Sequence, residues 1–166
     1  MSLIMPNDWL EWHSTRNAQD NAVRLLLACS AVLPSDKNLA LLVEEQVVSD
    51  LVSFAVHGRR TMERNGQKSA TVGDDPTWPP SSASKLDGNN LWHVFGVIIH
   101  ATKIQIVWEN ADMQPNPFKG REPKFAGSVE VSSDSENMKL SIGSLVASFF
   151  GNVLNKTSEK KQKETV

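Results

Sequence analysis

The stretch HGRRTMER places His57, Arg59, Arg60 and Arg64 within eight residues of one another. Arg offers a fork of donors matched to phosphate or carboxylate oxygens, and His exchanges a proton near neutral pH. Together they could contact an RNA backbone or assist a hydrolysis. The same residues also suit a plainer task. Cations near a helix C-terminus interact favourably with its dipole and last carbonyls, by about 0.3–1 kcal/mol each. The plainer task takes precedence, because these are few basic residues in a chain of net charge −2.

A second pair, His93 and His100, lies in LWHVFGVIIHATKIQIVWE. Seven residues apart on a helix, the two imidazoles share a side with Gly96 and Val97. They are weak candidates for a metal site, since a third and fourth converging ligand is required and the sequence nominates neither. No metal and no cofactor are expected, and both histidines read as ordinary helix residues bonded to backbone or solvent. Gly96 between them would let another element approach closely.

Trp9 and Trp12 form the third group. Three apart on a helix, they make a large apolar patch, expected to pack on its own domain; left exposed, it would mark a subunit or partner contact. Glu44 and Glu45 point to different sides of a helix and make a poor carboxylate dyad. Cys29 falls on an apolar stripe, where a thiol acts as a small hydrophobe. Phosphate-cradling glycine signatures, paired-cysteine and His-Glu-x-x-His metal motifs, the nucleophile elbow and the calcium loop are absent. So is the Arg-then-His helical signature of HEPN ribonuclease-like domains.

Positioning these residues are elements legible from hydrophobic period. Ala18, Ala22, Leu25, Leu26, Cys29, Val32 and Leu33 recur at helical spacing until Pro34. Ser35 or Asp36 can cap a second helix, whose stripe runs Leu39, Val43, Gln46, Val47, Asp50, Leu51, Phe54, Ala55, Gly58, Met62 and closes at Asn65-Gly66. So short a joint implies an antiparallel hairpin. Residues 66–90 read as a loop. Leu91, Val94, Phe95, Ile98 and Ile99 then form a third helix, and past Thr102 the period changes: Ile104, Ile106 and Trp108 alternate with Lys103, Gln105 and Glu109 as in a half-buried strand. After a proline-rich connection over 110–125, GSVEVSSD and MKLSIGS alternate likewise, with Val129 and Val131, then Met138, Leu140 and Ile142, facing inward across the tight turn SDSEN. Leu145, Val146, Phe149, Phe150, Val153 and Leu154 make a final helix, with Ser144 as its cap. The fold class implied is α+β: a helical hairpin, a third helix, and a three-stranded antiparallel meander covered by a C-terminal helix. One globular domain is expected over 1–155, with 156–166 a polar, disordered tail.

At 166 residues, 40% hydrophobic and 22% charged, the chain sits in the globular range. Its mild acidity argues against nucleic acid, and no apolar run reaches the roughly 20 residues of a membrane span. One cysteine and an N-terminal run cut by Pro6, Asn7 and Asp8 favour a cytoplasmic setting. The favoured function is a non-enzymatic interaction or accessory protein that self-associates or meets a partner through Trp9 and Trp12. One alternative is a small hydrolase or ribonuclease using His57 or His100 with Arg59 and Arg60; another is a small-ligand binding module built on the long loops.

Overall fold

The computed structural model describes residues 7–31, 37–72, 90–109 and 124–155. Ser35, Asp36, Pro34, most of the two long loops and the 156–166 tail lie outside them. Helix α1, Asn7–Ser30, buries Ala18, Ala22 and Leu25 completely, and α2, Lys37–Arg64, answers with Val47, Leu51, Phe54, Ala55 and Met62. Polar cross-links fix the antiparallel register. The Thr15 and Thr61 hydroxyls lie 3.3 Å apart, Asn21 Nδ2 donates to Ser53 Oγ at 2.9 Å, and Arg24 Nε donates to Asp50 Oδ1 at 2.8 Å. Gln46, placed on the apolar stripe by spacing, is exposed; its Nε2 donates to Asp50 Oδ2 at 3.0 Å, so it serves the buried carboxylate instead. The first helix also begins about ten residues earlier than its apolar stripe, because the Asp8–Asn17 segment continues the same turns.

Gly66, at φ 65°, ends α2 in the left-handed conformation, and Gln67 N donates back to Met62 O at 2.8 Å. Asn90 then opens α3, Leu91–Ile99. Its side-chain oxygen accepts from His93 N at 3.1 Å, while its Nδ2 donates to Lys68 O at 2.7 Å. The start of α3 is thus stapled to the segment leaving α2.

The period change past Thr102 marks a real break: strand β1 runs Lys103–Glu109. It pairs antiparallel with β2, Lys124–Ser132, which pairs antiparallel with β3, Asn137–Ser141. Ile104 faces Val131, Ile106 faces Val129, and Val129 and Val131 in turn face Leu140 and Met138, so the expected inward residues do share one face. Two boundaries differ from the sequence reading. Strand β2 starts at Lys124 and brings buried Phe125 opposite Trp108; the register shift beside Gly127, at φ 71°, interrupts the alternation that would have announced it. Ile142 opens a helix and does not extend β3: in α4, Ile142–Phe149, Ser141 Oγ accepts from Ser144 N at 3.3 Å, so Ser141 is the cap and Ser144 lies inside the first turn. A π-helical turn, Phe150–Leu154, follows, and its Asn152 Nδ2 donates to Thr71 O at 2.8 Å.

Helix α4 packs on β2 and β3 and touches α1 and α3. At its inner end Phe149 meets Phe54 and Phe95. Phe54 stands edge-on to each of the other two at 5.3 Å and 83°, and Phe95 and Phe149 are 6.3 Å apart. All three are fully buried, and they join α2, α3 and α4 at one point. Trp108 Nε1 donates to Glu44 Oε1 at 2.6 Å, tying β1 to α2.

Gly58 lies under this trio, where a Cβ would stand 2.7 Å from Phe95 Cε2 and 2.9 Å from Cζ. Replacement by Ala adds about 1 kcal/mol of helix propensity but forces a fully buried ring against its neighbours, a strain of about 1–3 kcal/mol. Gly58→Ala is expected to lower the denaturant midpoint with an unchanged m-value; a variant as stable as the parent would show that the trio yields freely.

Candidate functional site

His93, Gly96, Val97 and His100 do share one side of α3, and that side forms a wall of a cleft of about 580 Å³. The opposite wall is the β2–β3 turn, Ser133 to Glu136. That turn is held shut by its own bonds: Ser133 N donates to Glu136 O at 2.8 Å, and Glu136 N donates to Ser133 Oγ at 3.1 Å. Closure of the turn aims the Glu136 carboxylate at α3, where Oε2 lies 2.8 Å from His93 Nε2. Both partners are substantially exposed, so this bridge contributes about 0–1 kcal/mol to stability, and its main effect is to orient the imidazole.

Arg59 enters the same cleft from α2. Its guanidinium carbon stands 4.2 Å from the centre of the Trp92 ring, and Lys68 Nζ stands 4.7 Å from the same centre. Gly96 gives the guanidinium room, because a Cβ there would lie 3.2 Å from Arg59 Nη1 and the Arg59 side chain would have to give slightly. Lys68 is paired with Glu63 at 3.3 Å. Among the described residues Arg59 has no carboxylate partner and the His100 ring has no hydrogen bond.

Of the sequence candidates, Arg59, His93 and His100 therefore meet at one cleft, while His57 and Arg60 are not in its lining. His57 and Arg60 sit on another side of α2, within electrostatic reach of His13 on α1. His57 Nδ1 is enclosed with no partner among the described residues. Burial pushes the imidazole below its ordinary value, and the nearby Arg60 and His13 lower it further. Neither histidine thus has both arginines beside it: Arg59 lines the cleft with His100, and Arg60 lies near His57. Among the described residues no group of three or more His, Cys, Asp or Glu side chains is placed to hold a metal ion. Glu136, Asp134 and Trp92 escaped the sequence reading. The first two sit in a polar turn whose composition announces only a turn, and Trp92 lies beside a helical stripe without belonging to it.

Trp12 departs from the expectation that it packs on its own domain: it is 64% exposed. With Val23 at 52% and Leu27 at 65%, it lies half a turn round α1 from Ala18, Ala22 and Leu25, so burying one set turns the other outward. The Trp9 side chain lies outside the described residues. Leu41 and Leu42, in the first turns of α2, are also exposed. Cys29 keeps its expected character, with burial pushing the thiol up to about 12. No described helix is long and apolar enough to cross a membrane.

Compared with protein-family models, curated proteins and solved structures, the chain gives no match.

Because folding lowers the His57 value, the unfolded chain takes up a proton first as pH falls. The neutral ring's contribution is complete above the ordinary value of about 6.5 and is lost as pH drops through the folded-state value. His57→Leu is therefore expected to flatten the decline in melting temperature just below that value, leaving the carboxylate-driven decline at lower pH intact. Parallel curves for parent and variant would remove His57 as the cause.

Proposed function

We propose that this chain is a non-enzymatic interaction protein that self-associates through the solvent face of α1. The observation that supports this reading is the alignment of Trp12, Val23 and Leu27 on that face, each more than half exposed. Large apolar side chains gathered along one helix face lose favourable burial unless a partner covers them, and Trp is the residue type most often found at the energetic centre of interfaces.

A second copy is the partner favoured by charge. Between Trp12 and Val23 lies the ion pair Arg16 to Asp20, with Nε 3.2 Å from Oδ1 and both side chains exposed. An antiparallel copy of α1 related by a two-fold axis near Ala18 sets each Arg16 opposite the other Asp20 and each Trp12 opposite the other Val23. Both pairings share that centre to within a residue, which is the self-complementarity an isologous contact needs. The mild net charge of −2 offers little long-range repulsion between copies. A cytoplasmic setting fits the lone Cys29.

Light scattering and sedimentation at high protein concentration should return twice the chain mass for the parent. Trp12→Glu with Leu27→Glu should return the single mass and a cooperative melt whose temperature, unlike the parent's, does not rise with protein concentration. Arg16→Asp alone should weaken the dimer, and Arg16→Asp with Asp20→Arg should restore it. A parent that sediments as a monomer throughout overturns the reading, and a dimer indifferent to the charge exchange overturns the two-fold arrangement.

A further inference from the structure

The cleft between α3 and the β2–β3 turn carries opposite charge on its two walls. On the helical wall, the guanidinium carbon of Arg59 stands 4.2 Å over the Trp92 ring, a cation–π contact that holds the group without using its N–H donors. Among the described residues those donors have no carboxylate to bond, and the unbonded ring of His100 lines the same wall. A preorganised Arg fork with free donors is a receptor for a carboxylate or similar planar anion. On the opposite wall, Asp134 lines the cleft with no partner among the described residues, beside Glu136, one of whose oxygens is engaged by His93.

A plain anion does not suit this arrangement. Among the described residues Arg59 is the one permanent cation in the lining, and it faces two carboxylates, so a ligand bearing only negative charge would gain at one wall and lose at the other. A plain cation meets the converse difficulty at Arg59. A molecule that carries both a carboxylate and an ammonium satisfies both walls. The cleft volume of about 580 Å³ lies within the range of small-molecule sites and accommodates such a molecule with its side chain.

We infer that this cleft binds a free α-amino acid, with its carboxylate on Arg59 beside His100 and its ammonium at Asp134 and Glu136. The site is remote in sequence from the α1 face and is independent of self-association.

The test is a panel of free proteinogenic α-amino acids, each set against its N-acetyl derivative and its decarboxylated amine, followed by thermal shift and by amide chemical shifts of the full chain. The expected result is that at least one free amino acid raises the melting temperature and moves the amides of Gly96, His100 and Asp134. Its N-acetyl and decarboxylated counterparts should bind at least tenfold more weakly. Asp134→Asn, on an exposed turn where folding is unaffected, should weaken that amino acid tenfold or more while leaving the N-acetyl form no weaker, and Arg59→Met should weaken both. Absence of any shift across the panel overturns the inference. So does equal binding of the N-acetyl form, which would make this an anion site, or binding that ignores both substitutions.

Discussion

The structure turns on the point where Phe54, Phe95 and Phe149 meet. Three helices far apart in sequence each contribute one ring, and edge-to-face packing in the interior gains about 0.5–1.5 kcal/mol per pair beyond the area buried. That packing requires α2 and α3 to come closer than two ordinary side-chain surfaces allow. Each helix supplies a notch. Gly58 on α2 admits the ring of Phe95 from α3, and Gly96 on α3 admits the guanidinium of Arg59 from α2. The crossing is reciprocal, and its solvent-side product is Arg59 lying on Trp92 at the mouth of the cleft. Core packing and cleft geometry are therefore consequences of one close approach.

A different constraint governs the α1–α2 hairpin. Its seam contains polar pairs as well as apolar ones, and the buried carboxylate of Asp50 is satisfied from two directions by Arg24 and Gln46. Buried polar groups weaken a packed surface unless they find partners, and here the partners that cross from one helix to the other exist in one register only. Sliding the helices by a turn would part Asp50 from Arg24 and Asn21 from Ser53. With the register fixed, the rotation of α1 is fixed too, and Trp12, Val23 and Leu27 are held outward however favourable their burial would be. The apolar outer face is the counterpart of a polar inner seam.

Much of the fold was legible because it rests on repetition. Ala18, Ala22 and Leu25, or Ile104, Ile106 and Trp108, announce their element through spacing alone, and the change of period beyond Thr102 marked the passage from α3 to β1. Legibility failed where repetition is broken by one special backbone residue or by a cap with two plausible owners. Gly127 shifts the β2 register and hid the strand's first residues around Phe125. Ser141 and Ser144 are equally good caps by type, and only the direction of the incoming chain selects Ser141. The site was half legible: the shared side of His93, Gly96 and His100 follows from helical geometry, whereas Glu136 reaches His93 across 43 residues of sequence separation.

By itself the sequence determined which segments become helix or strand and which side of each is apolar, because those properties depend on neighbours within a few residues. Tertiary structure decided what faces what. It separated His57 and Arg60 from Arg59, placed Arg59 against Trp92, carried Glu136 to His93, and left Trp12 in solvent. The reason is physical. Local period is set by backbone geometry, but the partner of a side chain is set by how whole faces satisfy their apolar and polar groups together, and that is a property of the packed assembly.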